Sequence, residues 1–378
     1  MTMRVHESPD ILLLGVNARY SHSNPALYSL RAYCRGLDRR IEILESSINA
    51  NPSKIIADVA ASRCDIVGIS VYLWNALLVR GLLPGIKAAV PGCRIVLGGP
   101  EVTHTPGEWL SMDEVDCVVT GPGEAAFRGI LAGDVDIRER LVRGANPPFS
   151  DLPFLYEETD FPRFANRYVY YESSRGCPYR CAYCLSSRAD TRLEFRETST
   201  VLREIDVLIA KAPDTVKFVD RTFNARPERA RSIWRHIIES GTKKRFHFEV
   251  HPSLIEDEDL ALLVTAPPGL FRFEIGVQST NEETLRAVHR AGDWQASRRA
   301  IARLVASGNI PTHLDLIAGL PFDTLETIAR SFDETYSLRP DHLQLGFLKI
   351  LPGTEMSERA AEYYIMHNSE PPYGITGN

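Results

Sequence analysis

The sequence predicts an α/β protein with two parallel sheets, one in each half of the chain. Short, wholly apolar runs alternate with helical patterns over residues 10–133, and the alternation resumes after residue 168. Between these stretches, residues 134–166 are rich in proline and hold few periodic apolar positions. Apolar runs of this kind are typical of parallel strands buried on both faces, and their alternation with helices is typical of βαβ units.

The first half predicts a doubly wound, Rossmann-like domain over residues 1–135. Helix starts are marked by Asn24-Pro25 and Asn51-Pro52, because asparagine caps a helix and proline suits its first turn. A longer helix is predicted from Asn75 to Val90, where a Pro-Gly pair ends it. The five predicted strands cover residues 11–16, 40–44, 65–71, 94–98 and 115–119.

The second half predicts a partial (β/α)6 barrel, shorter than the full eight-stranded form. We assign residues 136–167 to a linker or extended wrap, residues 168–355 to the barrel domain and residues 356–378 to a short C-terminal tail. The six predicted strands cover residues 168–173, 215–218, 247–250, 272–275, 313–317 and 342–347.

The composition limits the class of protein. The formal net charge is −6 and the pI is near 6.0, so no basic field argues for a nucleic-acid partner. The N-terminus lacks a signal-peptide pattern, and no apolar run approaches the ~18–20 residues of a membrane span. Seven cysteines without a secretory signal predict reduced thiols in a cytoplasmic protein. Four of them are predicted to be small buried residues: Cys34, Cys64, Cys93 and Cys117.

Three cysteines form the most informative motif. Cys177, Cys181 and Cys184 have the spacing C-x3-C-x2-C, which suits thiolates that bind three irons of a [4Fe–4S] cluster. A structural zinc site is one alternative, but zinc takes four ligands, and neither a second cysteine pair nor a nearby histidine follows. Three unligated core cysteines are the other alternative, and the polar, glycine-containing loop around them argues against it.

The segment SRGCPYRCAYC, residues 174–184, resembles the cluster loop of radical SAM enzymes, and residues 168–352 resemble that family's core. The resemblance implies that the three cysteines ligate the cluster while the fourth iron chelates S-adenosylmethionine (SAM). It also implies cleavage of SAM to a 5′-deoxyadenosyl radical, with electrons from an external low-potential donor of the flavodoxin or ferredoxin type. In such enzymes the cofactor carries the chemistry and the protein positions it.

Motifs at later strand ends extend this resemblance: FVDRTFN at 218–224, EIGVQS at 274–279, DLIAGLP at 315–321 and LPGT at 351–354. A carboxylate inside an apolar strand needs a partner because burying an unpaired charge is costly. The resemblance implies the following SAM contacts: Tyr183, Asp220, Arg221, Glu249, Glu274, Gln278, Ser279, Gly319 and Pro352.

Two of these assignments have structural alternatives. Asp220 and Arg221 could form a surface ion pair. His247, Glu249 and His251 alternate along one strand and share one face, which points either into the barrel or to solvent.

In a doubly wound domain, ligands bind outside the carboxyl ends of the strands. The first domain is compatible with a scaffold or with a site for a nucleotide, a flavin or a corrin. The motif G-x-G-x-x-G is absent after the first strand, and so is a P-loop, which disfavours a nucleotide. Small residues at two strand ends leave room for a bulky ligand, and Tyr72, Leu73 and Trp74 offer it an apolar surface.

The segments GGPEVT at 98–103 and GPGE at 121–124 resemble recurrent segments of the cobalamin-binding domain of cobalamin-dependent radical SAM proteins. The D-x-H-x-x-G motif of other cobalamin proteins is absent, so we expect cobalamin without an axial histidine, and Pro122 departs from the glutamate of many relatives. A domain that has lost cobalamin is the alternative. The implied cobalamin contacts are Asn17, Tyr20, Ser70, Tyr72, Leu73, Trp74, Gly98, Gly99, Glu101, Thr103, Gly121, Gly123 and Glu124.

Together these resemblances imply a class B-like radical SAM methyltransferase, in a subgroup without an assigned reaction, which methylates an unactivated carbon of a small molecule or peptide. A 5′-deoxyadenosyl radical would abstract a substrate hydrogen, and the substrate radical would take the methyl group of methylcobalamin. One alternative is a cobalamin-dependent radical SAM cyclase or rearrangement enzyme without methyl transfer. The other is a cobalamin- or redox-responsive binding protein with a vestigial barrel.

Overall fold

The structure is a computed structural model, and it describes residues 10–187, 192–290 and 292–377. It divides the chain into two compact units, residues 1–160 and 161–378. Most of the N-terminal segment used to argue against a signal peptide lies outside the described residues. Among the residues that are described, no helix is long and apolar enough to cross a membrane.

The first unit holds a fully parallel six-stranded sheet in the order β2-β1-β3-β4-β5-β6. The five predicted strands are confirmed, and residues 141–143 add a sixth from the segment predicted as a linker. Three residues with one buried side chain are too short to show a strand pattern. The strands are β1 (Ile11–Asn17), β2 (Ile41–Ser47), β3 (Ile66–Ser70), β4 (Arg94–Gly98), β5 (Cys117–Thr120) and β6 (Leu141–Arg143).

Helices connect these strands, and several of them begin as the sequence predicts. Asn51 caps the second helix by accepting a hydrogen bond from the amide of Ser53, and proline stands in the first turn of four of the six. Every residue of β1 is buried between helices, and Cys34, Cys64, Cys93 and Cys117 are buried as predicted. The helices are α1 (Pro25–Tyr33), α2 (Pro52–Ser62), α3 (Ala76–Ala89), α4 (Pro100–His104), α5 (Pro106–Leu110) and α6 (Glu124–Ala132).

The second unit holds another parallel six-stranded sheet, in the order β14-β13-β12-β11-β10-β7. All six predicted strands are confirmed. The first and last strands are not paired with each other, as expected for a partial barrel. The strands of this unit are β7 (Val169–Tyr171), β8 (Ser174–Arg175), β9 (Glu194–Phe195), β10 (Thr215–Phe218), β11 (Arg245–Glu249), β12 (Phe271–Gln278), β13 (Thr312–Ala318), β14 (His342–Phe347), β15 (Met366–His367) and β16 (Ile375–Gly377).

Two short antiparallel pairs, β8 with β9 and β15 with β16, stand beside the main sheet. The helices follow the strands in the alternating pattern that parallel connections require. They are α7 (Thr198–Lys211), α8 (Pro227–Glu239), α9 (Asp257–Leu263), α10 (Glu282–Ala287), α11 (Trp294–Ser307), α12 (Leu325–Tyr336) and α13 (Glu355–Arg359).

Side chains alternate between two faces of the central strands of this sheet. One face, the aromatic face, is fully buried and consists mainly of phenylalanine: Phe218, Phe246, Phe248, Phe271 and Phe273. The opposite face, the polar face, carries charged and polar side chains: Lys217, His247, Glu249, Arg272, Glu274, His313 and Asp315. The sheet therefore has a hydrophobic core on one side only.

Residues 356–377, predicted as a short tail, are part of the packed core of the second unit. Met356, Ala360 and Ile365 are buried in one cluster with Leu320 and Leu348. The apolar positions in this segment are too widely spaced to form a clear periodic pattern, so their burial depends on contacts with distant residues.

Candidate cofactor sites

The three cysteines lie on a loop that follows β8. Gly176 begins this loop with a φ of +90°, and a Cβ there would lie 2.6 Å from the carbonyl oxygen of Arg192. The loop is held to the rest of the unit where the amide of Ala182 donates to the carbonyl of Val288 at 2.9 Å. Glycine is therefore required at the entrance, and the loop conformation is fixed from both ends.

The three cysteine side chains are thiols outside any disulfide, which suits a cluster. Cys181 is buried, and Cys177 and Cys184 are half-buried. Burial raises the pKa of the Cys177 thiol, whose sulfur lies 3.5 Å from the hydroxyl oxygen of Thr222. Across residues 10–187, 192–290 and 292–377, no three His, Cys, Asp or Glu side chains are grouped as ligands of one metal ion. A [4Fe–4S] cluster has a different requirement because each thiolate binds its own iron, and three cysteine sulfurs on one loop fit it.

Asp220, predicted as a SAM contact, is instead fully buried. Its carboxylate accepts hydrogen bonds from the Ser173 amide at 2.9 Å and from the hydroxyls of Ser173 and Ser174 at 2.6 Å each. Burial raises the pKa of Asp220, and these bonds together with Arg229 oppose that shift. Asp220 thus fixes the segment that leads into the cysteine loop, which is a positioning role.

Arg290 is a residue that sequence reasoning missed. Its guanidinium donates to the carbonyl oxygen of Gly276 at 2.5 Å and to the sulfur of Cys181 at 3.9 Å. It therefore links the end of β12 to the cysteine loop. No motif identified it, because 109 residues separate it from Cys181 and only the tertiary structure brings the two together.

The predicted contacts near the end of β12 have different surroundings. Gln278 has a φ of +70°, and its buried side-chain oxygen has no hydrogen-bond partner among the described residues. Ser279 is buried, and its hydroxyl accepts from the amide of Asn281 at 3.1 Å. Gln278 is thus able to accept a hydrogen bond from a ligand, whereas Ser279 stabilises its own turn.

Three other predicted SAM contacts, Gly319, Pro352 and Tyr183, also have different surroundings. Gly319 has a φ of +88°, and a Cβ there would lie 2.0 Å from a side-chain carbon of Ile375. The close approach that requires glycine is therefore made by the C-terminal segment. Pro352 lies half-buried in the turn before α13, and Tyr183 lies half-buried within the cysteine loop.

Glu249 and Glu274 are register partners on the polar face. Burial raises the pKa of Glu249 to about 7, although Arg221, 3.7 Å away, opposes the shift. A hydrogen bond with His247 lowers the pKa of Glu274, and the two side chains are 3.0 Å apart. The alternative to SAM binding, an ion pair between Asp220 and Arg221, is not formed, since Arg221 contacts Glu249.

Three further polar-face residues were not assigned a role from the sequence. Burial raises the pKa of Asp315 to about 7, with a further contribution from Glu274 and Glu249. Lys217 and Arg272 are half-buried on β10 and β12, the strands on either side of β11. Alternation along a strand could have placed these side chains on one face, but it could not show which residues they neighbour on other strands.

In the first unit, a hydrogen-bond network joins the predicted contacts at the ends of β1 and β3. Asn17 donates to Glu45 at 2.9 Å, and Ser70 accepts from the side chain of Asn24 at 2.7 Å. Glu45, which sequence reasoning missed, also accepts from the amide of Asn24 at 2.6 Å and from the hydroxyl of Tyr28 at 2.9 Å. Asn17 and Ser70 thus stabilise the loops at this edge.

An aromatic pair is presented at the same edge. The rings of Tyr72 and Trp74 stack with centroids 4.4 Å apart, and the indole of Trp74 donates to the carbonyl of Val16 at 3.3 Å. Trp74 and Tyr20 remain 47% and 63% exposed, and Leu73 is half-buried. These side chains form a partly exposed apolar surface at this edge.

The glycine-rich strand end after β4 is held in a fixed conformation. Gly99 has a φ of +112°, and a Cβ there would lie 2.5 Å from the carbonyl oxygen of Val71. The hydroxyl of Thr103 donates to the Gly99 carbonyl at 2.8 Å and accepts from the amide of Gly121 at 3.0 Å. Gly98, half-buried, ends β4. Thr103 therefore connects two of the predicted cobalamin-binding segments.

The two predicted acidic contacts are turned inward. Glu101 and Glu124 are both buried, and Glu124 accepts a hydrogen bond from Ser29 at 3.0 Å. Gly123 precedes α6, and a Cβ there would lie 3.2 Å from a side-chain carbon of Leu30. Glu124 thus ties α6 to α1.

Comparison with known families agrees with this architecture. The B12 binding domain matches residues 11–131, which contain β1 to β5, and the Radical SAM superfamily matches residues 171–335, which contain the cysteine loop. The chain belongs to the radical SAM superfamily and carries a B12 binding domain. The order of the two domains in this radical SAM protein is the order that the sequence predicts.

Several known proteins resemble this radical SAM protein. The 2-(S-pantetheinyl)-carbapenam-3-carboxylate methyltransferase of Streptantibioticus cattleyicolor is 26% identical over 305 residues, which cover 69% of this chain and 43% of the relative. The chain thus spans less than half the length of that curated relative.

Two solved structures share the fold. The cobalamin-dependent S-adenosylmethionine radical enzyme OxsB matches with a TM-score of 0.79 and 16% identity, covering 98% of this chain and 64% of OxsB. The radical S-adenosylmethionine methyltransferase TsrM from Kitasatospora setae matches with a TM-score of 0.77 and 18% identity, covering 96% and 79%.

Proposed function

We propose that this radical SAM protein is a cobalamin-dependent methyltransferase that acts on an unactivated carbon of a small molecule or a peptide. The proposal places a [4Fe–4S] cluster on Cys177, Cys181 and Cys184 and cobalamin at the carboxyl edge of the first sheet. The observation that carries it is a loop of three cysteines outside any disulfide in a chain that also holds a B12 binding domain. The Streptantibioticus relative and TsrM are both described as methyltransferases, which supports the reaction class.

When bound, the cofactors supply a SAM-derived radical and a methyl donor. The residues of the chain hold and orient them. Asp220 fixes the entrance to the cysteine loop, and Arg290 presents a guanidinium beside Cys181 that can bind the carboxylate of SAM through charge-assisted hydrogen bonds. The unpartnered oxygen of Gln278 can accept a hydrogen bond from a ligand hydroxyl.

For cobalamin, the stacked Tyr72 and Trp74 supply an apolar surface, and the fixed glycine backbone at Gly99 and Gly121 permits close approach. Four buried polar residues stabilise this edge: Asn17, Ser70, Glu101 and Glu124. Tyr20 is exposed at the same edge. We propose that cobalt receives no histidine ligand from the chain, because the D-x-H-x-x-G motif is absent.

The reaction also needs an electron source. We propose an external donor of the flavodoxin or ferredoxin type and a cytoplasmic location, which the reduced cysteines of the sequence favour. The substrate is a small molecule or a peptide.

Anaerobic reconstitution with iron and sulfide tests the cluster. The wild-type protein is expected to gain a broad absorbance shoulder near ~400 nm and about four irons per chain. Cys181→Ala is expected to lose most of both signals because one of three ligands is removed. Cys34→Ala is the matched control, since it removes another buried cysteine from the first unit. A Cys181→Ala protein that keeps the full spectrum would contradict the assignment.

Product analysis tests the reaction. Reduced, cobalamin-loaded protein with a panel of candidate substrates is expected to release both S-adenosylhomocysteine and 5′-deoxyadenosine. Release of 5′-deoxyadenosine alone would favour a cyclase or rearrangement enzyme. Release of neither, from protein with an intact cluster, would contradict radical catalysis and favour a binding protein.

A further inference from the structure

The polar face of the second sheet carries a row of basic side chains that the proposed function does not use. Lys217 on β10 is the register partner of His247 on β11, and His247 is the register partner of Arg272 on β12. Adjacent strands lie about 4.8 Å apart, so the three side chains stand next to one another on one face. We call these three residues the basic row.

The two cations of the basic row make no direct contact with an acidic side chain among the described residues. Among the described residues, neither Lys217 nor Arg272 forms an ion pair or a side-chain hydrogen bond, although both are half-buried. The ammonium of Lys217 lies 4.9 Å from the ring centre of Tyr168, which is a weak partner. Half-buried charges without counter-ions are costly, and a bound anion would offset that cost.

The histidine between them also has an unused polar atom. His247 is 5% exposed, and its Nδ1 is buried without a hydrogen-bond partner, while its Nε2 lies 3.0 Å from Glu274. Burial lowers the pKa of His247, and Lys217 and Arg272 add to this shift while Glu274 opposes it. A neighbouring anion would favour the charged imidazole, in which Nδ1–H can donate to that anion.

The surrounding charges leave the basic row available to an anion. Glu274 lies 3.0 Å from His247. Glu249, at the carboxyl end of β11, lies 3.7 Å from Arg221. His313 lies beyond Glu274 on β13, where burial lowers its pKa. Glu274, Glu249 and Asp315 each contact another basic side chain, His247, Arg221 or His313, whereas neither Lys217 nor Arg272 contacts an acid directly. Burial lowers the pKa of Lys217, and the charges of Glu274 and Glu249 oppose that shift.

We propose that Lys217, His247 and Arg272 form a subsite for an anionic oxygen group, a carboxylate or a phosphate, so that the substrate of this enzyme is an acid. A lysine point charge, an imidazole and a planar guanidinium together offer the donors that such a group accepts. The identification of the bound anion as part of the substrate rests on the proposed function. The binding of an anion at this subsite does not.

Protection of Lys217 from acylation tests the subsite in the wild-type full chain. The protein is treated with a limiting N-hydroxysuccinimide ester, with inorganic phosphate or succinate added, and the labelled peptides are quantified by mass spectrometry. At an anion concentration of about four times Kd, labelling of Lys217 is expected to slow about fivefold. Lys54, 70% exposed on α2, is the internal control and is expected to keep its rate.

The two anions distinguish the source of the acidic group. Stronger protection by succinate assigns a carboxylate, and stronger protection by phosphate assigns a phosphate; both are compared with chloride at equal ionic strength. A Lys217 rate that neither anion changes, or a Lys54 rate that falls equally, would overturn the proposal. This experiment uses protein without cofactors. A negative result would therefore contradict anion binding and leave the cluster assignment unaffected, and a negative cluster assay would leave the anion result unaffected.

A variant series tests the row itself. Arg272→Gln is expected to lose at least half of the protection of Lys217, and Arg272→Lys is expected to retain most of it. Arg303→Gln, at an exposed side chain of α11, is expected to retain all of it. The thermal transition of each variant is measured first, and the wild-type protection experiment stands even if Arg272→Gln does not fold. Full protection in a folded Arg272→Gln protein would exclude Arg272 from the subsite.

Discussion

The two parallel sheets of this protein carry their polar side chains in different places. In β1 every residue is buried, and the hydrogen-bonding side chains of the first sheet are concentrated at its carboxyl edge, where Asn17 and Ser70 join the Glu45 network. In β12 buried and half-buried residues alternate along the whole strand. A sheet covered on both faces can bind ligands only at its edge, whereas a sheet covered on one face can also use the length of its strands.

The largest expected effect tests the assignment of the two faces in the second sheet. Phe273→Ala is expected to lower the free energy of unfolding by about 3–5 kcal/mol, because the ring is fully buried against Trp234 and Phe248. His313→Ala, on the polar face of the next strand, is expected to cost less than about 1 kcal/mol. Urea unfolding followed by fluorescence checks both, and equal losses would show that the faces are not distinct.

The second prediction concerns the edge of the first sheet. Gly99→Ala is expected to cost about 1–3 kcal/mol, because its φ of +112° is strained for alanine and the added Cβ would meet the Val71 carbonyl at 2.5 Å. Gly81→Ala, inside α3 with open space around it, is the control and is expected to stabilise by up to about 1 kcal/mol. Thermal unfolding measures both, and a neutral Gly99→Ala would show that this edge is adaptable.

A third prediction tests the positioning role of Asp220. Asp220→Asn is expected to cost about 1–3 kcal/mol, since an amide cannot accept all the hydrogen bonds that Ser173 and Ser174 donate to the carboxylate. Hydrogen exchange is expected to become faster in the peptide that leads into the cysteine loop. Asp257→Asn, which is 85% exposed, is the control. Unchanged exchange in Asp220→Asn would remove this role.

The smallest expected effect concerns pH. The pKa of Glu249 is about 7 in the folded protein and lower when unfolded, so the folded state binds an extra proton between these values. Its contribution to stability is present at low pH and is lost as the pH rises to about 7. Glu249→Gln is therefore expected to reduce the fall in stability between about pH 5 and pH 7.5, and Arg221→Gln to increase it. Urea unfolding at both pH values checks the two signs, and identical slopes would contradict the assigned pKa.

Much of the fold was predictable because its signals are local. Runs of apolar residues identified eleven of the twelve main-sheet strands, and proline and asparagine identified helix starts. Strand β6 and the packed C-terminal residues were missed, since each is short and is stabilised by residues far away in the sequence.

The candidate site was only partly predictable. The cysteine loop was found because its three thiols lie within one short segment, and their spacing predicts a [4Fe–4S] site. Asp220 was predicted as a SAM contact, and its hydrogen bonds with two serines were not predicted because nothing local shows that its carboxylate faces them. Glu45 and Arg290 were missed because their partners are distant in the chain.

The sequence by itself determined which segments become strands and that three thiols share one loop, because hydrophobic periodicity and ligand spacing are properties of neighbouring residues. Tertiary structure decided the rest. It placed Lys217, His247 and Arg272 in one row, turned Asp220 inward and brought Arg290 to Cys181. The physical reason is that long connections join parallel strands, so their register is fixed by the packing of the whole unit.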